Sequence, residues 1–322
     1  MGGRAAGLAL REALTVADNN GAEPRPRILN IAHRGARAFA PENTLEAFAK
    51  AQTFGCEMIE LDVHLSRDGE LIVHHDDNLL RCTDVKDRFP EQPSYCISDF
   101  TYTEIRQLDA GRWFTQELAL SPEKRQGFLQ SLTPDEFARY IPPEDLARYA
   151  SGAVRVPTLR QALELARNLG LKVNIELKML PRMYAGLTDA VLDLVEALAM
   201  QADVLISSFD HEQLRQVRQR TPAVATAVLT NERLALPGDY LERIGADAFH
   251  PGTEPLGLHS IRRRLDSEPI DALRRLGKQV NVWTCNDKAQ MRQLIAAGVT
   301  GLISDYPNRV REVLDETAAL TA

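Results

Sequence analysis

The 322-residue chain contains no apolar run approaching the roughly 20 residues that cross a bilayer, which argues against stable membrane insertion. Its N-terminal apolar stretch, Ala5-Ala-Gly-Leu-Ala-Leu10, is cut short by Arg11 and Glu12, and no small-residue cleavage site follows, so it does not read as a secretory signal. Residues 1–26, closing on Asn19-Asn-Gly-Ala-Glu-Pro-Arg-Pro26, are expected to form a flexible lead-in to a domain spanning 27–322. The four cysteines (Cys56, Cys82, Cys96 and Cys285) show neither CxxC spacing nor a His/Cys metal pattern, and read as reduced thiols of a cytoplasmic protein. Positive charge is also in deficit. A formal charge of −7 argues against a nucleic-acid partner, which would need a clustered basic surface. The short run Arg262-Arg-Arg264 is followed by Asp266 and Glu268 and reads as a solvated helix face. A composition 44% apolar and 26% charged is that of a globular chain, and its length admits two small domains or one large α/β domain. Nothing in it speaks to oligomeric state.

What the chain does contain is alternation. Short β-branched runs at Ile28–His33, Glu57–Val63, Lys172–Leu177, Val204–Ser208, Val224–Leu229, Asp247–His250, Gln279–Thr284 and Gly301–Ser304 are separated by amphipathic stretches of helical period. Asn43-Thr-Leu-Glu46, Thr158-Leu-Arg-Gln161 and Asp287-Lys-Ala-Gln290 are capping-box starts, and Gly55, Gly170 and Gly298 are stops. Leu71–His75 follows the second run too closely for a parallel crossover, so it predicts an antiparallel hairpin strand. Eight βα units remain, which predicts a TIM-type (β/α)8 barrel; a doubly wound open sheet would call for a Gly-rich phosphate turn after the first strand, and none is present. The stretch from about Asp76 to Val156 breaks the rhythm. Its aromatics (Tyr95, Phe100, Tyr102, Trp113, Phe114) and acidic helix starts at Thr133-Pro-Asp-Glu136 and Pro143-Glu-Asp145 predict an ordered insertion after the second barrel strand, over the mouth.

Ionisable side chains close several of these runs, where burying them unpaired would cost several kcal/mol each. His33 and Arg34 follow the first, and Glu60 and Asp62 end the second. His74 and His75 end the hairpin strand, and Glu176 and Lys178 end the next barrel strand. Groups converging from different strand ends are what a catalytic mouth requires. Glu60 and Asp62 are two apart and share a face of their strand. With Glu176 they form a trio of carboxylates whose repulsion calls for a cation, and oxygen-only ligands favour Mg²⁺ or Ca²⁺ over zinc. The competing reading is a structural charge network with Arg34, Arg37 and Lys178. A lone His33 could be a core histidine, but a second histidine on the same rim makes both acid–base candidates. His74 and His75 face opposite sides of a strand, so only one can line the site. Arg34 suits fork-like recognition of a phosphate oxygen. Trp283, at a strand end, reads equally as an apolar wall for an alcohol or as core.

Taken together, these residues resemble the glycerophosphodiester phosphodiesterase family. The likeness rests on His33-Arg-Gly35, Pro41-Glu-Asn-Thr44, Glu60-Leu-Asp-Val63, Ser66-Arg-Asp-Gly69, His75-Asp76, Leu79 to Thr83 and Leu108-Asp-Ala-Gly111. It continues through Val156-Pro-Thr158, Asn174-Ile-Glu-Leu-Lys178, Ser207-Ser-Phe-Asp210, Val282-Trp-Thr284 and Gly301-Leu-Ile-Ser-Asp305. The resemblance implies that His33 and His75 are the acid–base pair, selecting His75 over His74, and that Glu60, Asp62 and Glu176 hold the metal. It also implies an insertion domain where Asp76–Val156 lies. Two departures are a longer stretch between Gly111 and Pro157, and a histidine at position 74 where the family more often has an apolar or small residue.

The implied reaction is metal-dependent hydrolysis of a small-molecule glycerophosphodiester to an alcohol and sn-glycerol 3-phosphate. Arg34 and Lys178 would offset the phosphate charge, one histidine would act as base and the other as acid. Both a water nucleophile and attack by the glycerol 2-hydroxyl are compatible with these residues. The insertion is expected to select the head group, its aromatics meeting the alcohol and its acids from Asp135 to Asp145 favouring choline or ethanolamine. Two rivals are a lysophospholipase D-like lipid phosphodiesterase, and a non-catalytic barrel used for binding. The second would be expected to lack a histidine or a metal ligand, and none is missing.

Overall fold

The computed structural model describes residues 28–258 and 265–319, so the expected lead-in and the Arg262–Arg264 run lie outside the described residues. Eight parallel strands close on themselves: β1 (Leu29–Ala32), β2 (Met58–Leu65), β4 (Lys172–Leu177), β5 (Val204–Ser208), β6 (Ala225–Thr230), β7 (Ala248–Pro251), β8 (Gln279–Val282) and β9 (Gly301–Ser304), with β1 pairing both β2 and β9. The hairpin strand β3 (Leu71–Val73) pairs antiparallel with β2. Helices α1 (Leu45–Thr53), α2 (Leu159–Leu169), α3 (Leu187–Ala197), α4 (His211–Arg220), α5 (Pro237–Ile244), α6 (Glu268–Arg275), α7 (Lys288–Ala296) and α8 (Pro307–Ala319) follow the eight barrel strands in turn. This is the (β/α)8 barrel that the alternation predicts.

The strand register sorts the side chains. Along β2 and β4 the odd-numbered Ile59, Leu61, Val63, Val173, Ile175 and Leu177 enter the core shared with the helices, where Phe48, Ala51, Leu163 and Ala166 meet them. Each large apolar side chain buried there contributes about 1.5–3 kcal/mol. The even-numbered set faces the barrel axis. Asp62 stands opposite Glu176, and Glu176 opposite Ser207, so register alone brings the polar residues of neighbouring strands together. Leu29, Ile31, Met58 and Ile303 form one apolar group, and Leu205, Ala225, Ala227 and Ala248 another.

Element ends depart from the sequence expectation in an informative way. β1 stops at Ala32, β3 at Val73 and β8 at Val282, so His33, His75 and Trp283 stand in loops just beyond the ladder. The capping expectation at Asn43 also needs correction. Thr44 caps α1, its side chain accepting from Ala47 N, while Asn43 adopts φ 54° and sends its amide to Asp62. Thr158 and Asp287 cap α2 and α7 as their sequences require.

Residues 76–156 fold as short helices, among them Arg112–Ala119, Pro134–Tyr140 and Pro143–Ala150. They pack on the segments that follow β1 and β9, at the cavity end of the barrel. Tyr149 Oη donates to Phe39 O, Tyr306 Oη donates to Phe128 O at 2.6 Å, and Glu136 pairs with Arg309 at 2.6 Å. Arg37 lies over the Phe128 ring, 3.8 Å from its centroid. Phe100 and Phe114 are fully buried, and Trp113 nearly so.

Gly35 turns the chain from β1 toward the site at φ +79°, and a Cβ there would lie 2.7 Å from the Ala47 main-chain carbonyl carbon. Gly35→Ala should therefore destabilise the protein by roughly 2–4 kcal/mol, combining left-handed strain with overpacking against backbone. Chemical denaturation of the two proteins checks this, and a change below about 1 kcal/mol contradicts it.

Candidate functional site

One cavity of about 270 Å³ opens among the strand ends, lined by His33, Arg34, Glu60, His75, Asn174, Glu176, Lys178, Ser207, Phe209, Leu229, Asn231, Trp283 and Ile303. Of the residues singled out in the sequence, His33, Arg34, Glu60, His75, Glu176, Lys178 and Trp283 line it directly. Asp62 sits just beneath, 1% exposed.

Glu60, Asp62 and Glu176 each offer a carboxylate oxygen within 4.8 Å of the others. Burial, with the negative charges of Asp62 and Glu176, pushes the Glu60 carboxyl well above its ordinary range. Asp62 is held well below it: burial opposes ionisation, but His75, Lys178, Arg34 and the Asn43 amide outweigh it. Asp62 Oδ1 is buried and has no hydrogen-bond partner, although Lys178 Nζ lies 3.6 Å away. An orphaned anionic oxygen among crowded carboxylates fits a hard divalent cation, which would relieve both costs at once. These three residues could hold such an ion.

The cations are themselves anchored. Lys178 Nζ donates to Glu176 Oε1 at 2.8 Å, and burial is outweighed by Glu176 and Asp62, which keep its ammonium charged. Arg34 donates from its main-chain N to Glu60 Oε2 at 2.8 Å, and from Nη1 to Glu42 Oε1 at 2.9 Å. The two histidines match in construction. His33 Nδ1 lies 2.7 Å from Asp305 Oδ1, and His75 Nδ1 lies 2.7 Å from Asp76 Oδ1. With Nδ1–H donating to a carboxylate, each ring presents Nε2 as the reactive atom. Burial, opposed by Asp305 and reinforced by Arg34 and Arg37, pulls the His33 pKa down to about 4, so this ring is neutral at neutral pH. His74 turns away: it is buried and its Nε2 meets Asn78 O.

Trp283 donates Nε1–H to His250 O and stands edge-on to Phe209, with 5.6 Å between ring centroids. Those two rings form the aromatic wall. The expected wall from the 76–156 segment is absent from the cavity lining, because its aromatics are spent in the core. Its acids Glu136 and Asp145 are tied to Arg309 and Lys50. Sequence reasoning did not single out Asp76, Asp305, Glu42 or Phe209 as functional. The first two also follow strand ends and could have been found by the rule that found the histidines.

The arrangement is that of a barrel enzyme acting on an anionic, oxygen-rich group. A profile of the glycerophosphoryl diester phosphodiesterase family matches residues 33–309. A glycerophosphodiester phosphodiesterase of Bacillus altitudinis is 30% identical over 89% of this chain and 98% of its own. A glycerophosphodiester phosphodiesterase of Caldanaerobacter subterraneus subsp. tengcongensis is 30% identical, over 87% and 95%. A phosphodiesterase structure from Oleispira antarctica, in complex with the product sn-glycerol-3-phosphate, superposes with a TM-score of 0.66 at 25% identity, covering 88% of this chain and 96% of that one. The chain belongs to the glycerophosphoryl diester phosphodiesterase family, a family of hydrolases.

Removing one negative charge from the trio should release its neighbours. In metal-free protein, Asp62→Asn is expected to lower the Glu60 pKa, since a like charge that disfavours ionisation is gone. Carboxyl-carbon NMR titration reads this directly, and an unchanged or raised Glu60 pKa would contradict the charge coupling.

Proposed function

We propose that the protein hydrolyses glycerophosphodiesters to an alcohol and sn-glycerol 3-phosphate, using His33 and His75 as the acid–base pair and Glu60, Asp62 and Glu176 as ligands for one Mg²⁺ or Ca²⁺. The observation that carries this reading is the pair of carboxylate-anchored imidazoles on one cavity with the carboxylate trio. When bound, the ion supplies Lewis-acid stabilisation of charge developing on phosphate oxygens. Arg34 and Lys178 bind the phosphodiester monoanion and lessen its repulsion of an incoming oxygen. A neutral His33 is poised to accept a proton at Nε2, with Asp305 stabilising the imidazolium that results. His75, held by Asp76, then serves the departing alcohol. The uncharged face made by Phe209, Leu229, Trp283 and Ile303 suits the carbon skeleton of glycerol or alcohol, and excludes water from it.

A lipid substrate of the lysophospholipase D kind is favoured by a separate observation. Leu180, Met183, Phe209 and Leu236 are exposed (59%, 58%, 36% and 72%), on the loops that follow β4, β5 and β6 at the cavity end of the barrel. Within the 76–156 segment Leu80, next to the Arg81 that bonds Asp76, is exposed as well. Turnover across a panel from glycerophosphocholine to lysophosphatidylcholine separates the two readings, and a preference for the lysolipid favours the second.

Chelation should abolish turnover, with Mg²⁺ or Ca²⁺ restoring it. Full activity in excess chelator, with no metal found by elemental analysis, would refute the metal requirement. His33→Ala and His75→Ala should each slow turnover by ~10²–10⁴-fold. His74→Ala should cost far less, since its ring faces Asn78; equal damage at 74 and 75 would reject the assignment.

A further inference from the structure

Arg81 does not line the cavity and has no part in the chemistry above, yet it links its charged groups. Its Nε donates to Asp76 Oδ2 at 2.7 Å and its Nη2 to Asp76 Oδ1 at 3.0 Å, a fork on both oxygens of one carboxylate. That same Oδ1 accepts from His75 Nδ1. Nη2 also reaches Glu42 Oε1 at 2.7 Å, the oxygen that holds Arg34, while Nη1 meets Gln126 Oε1 at 3.2 Å.

We propose that Arg81 is a positioning residue for His75, acting through Asp76; this rests on the reading of His75 as an acid–base group. The two histidines stand in different surroundings. The His33 side chain is 13% exposed and wedged between strand ends, whereas that of His75 is 30% exposed on a loop past the end of β3. A single hydrogen bond to a mobile aspartate would leave the His75 ring free to swing. A bidentate guanidinium fixes the carboxylate plane, and with it the direction of His75 Nε2. Glu42 in turn sets the guanidinium in register with Arg34, so the phosphate-binding and proton-transferring groups share one anchor.

Kinetics of Arg81→Gln, Arg81→Lys, His75→Ala and the double variant Arg81→Gln/His75→Ala test this. Displacing a catalytic group by about 1 Å can cost ~10²-fold, so Arg81→Gln should lower kcat by roughly 10–100-fold while KM and divalent-metal affinity change less than about threefold. Arg81→Lys should behave similarly, because a point charge cannot grip both oxygens, and it serves as the test if the Gln variant fails to fold. In the His75→Ala background, Arg81→Gln should cause no further loss. An unchanged kcat in a folded Arg81 variant overturns the inference, as does a full multiplicative loss on top of a slow His75→Ala. A His75→Ala protein as fast as the parent overturns instead the acid–base reading, and the inference with it.

Discussion

The carboxylate of Glu42 meets three guanidinium groups, and the geometry of the barrel mouth depends on that shared contact. Arg34 and Arg81 bond its Oε1, and Arg37 approaches Oε2 at 3.6 Å. Glu42 is 4% exposed, and although burial opposes its ionisation, Arg37, Arg34 and Arg81 hold its carboxyl well below the ordinary range. Each arginine then extends to a different functional group. Arg34 faces the cavity, Arg37 lies 3.3 Å from the Asp305 that orients His33, and Arg81 grips the Asp76 that orients His75. Stripping one member from a buried charge cluster leaves its partners uncompensated, typically at about 3–5 kcal/mol. The cluster therefore fixes relative positions more than it adds net stability.

Barrel register sets the second constraint. Because Asp62 pairs with Glu176 across β2 and β4, carboxylates far apart in sequence arrive at one level with no freedom to separate. Their mutual repulsion is built into the ladder, and cations answer it, as does a proton on Glu60, whose carboxyl is pushed well above its ordinary range. Lys178 and Arg34 answer part, leaving Asp62 Oδ1 without a hydrogen bond. Across from Ser207 the register continues to Ala227, which packs with Leu205, Ala225 and Ala248 in a buried apolar group.

Most of the barrel was legible in the sequence because its signals are local. Period-two strands, Thr158 and Asp287 caps and the Gly170 stop each act within a few residues, and the hairpin at Leu71 followed from a spacing too short for a crossover. The cavity residues were legible because a charge at the end of a buried strand is too costly to keep unless it is paired or put to chemical use. What the sequence hid is long-range. Asn43 looks like a helix cap, but Thr44 takes that role and Asn43 is recruited by Asp62 from 19 residues away. The aromatics of 76–156 looked like a substrate wall, yet Phe100 and Phe114 are spent on the core that the segment shares with the barrel. Phe209 follows a strand end as His33 does, but carries no charge to betray it.

The cavity that results holds two kinds of side chain. Ionisable His33, Arg34, Glu60, His75, Glu176 and Lys178 share it with the apolar Phe209, Leu229, Trp283 and Ile303, while the uncharged Asn174 and Ser207 pair in register with Glu60 and Glu176. An ester with one anionic phosphate and two alcohol arms would meet both kinds of side chain there. The Phe209 and Trp283 rings offer π faces that can attract a cationic head group without a carboxylate counter-ion. Selection of an alcohol by shape and apolar area alone is worth only about 1–3 kcal/mol per methylene.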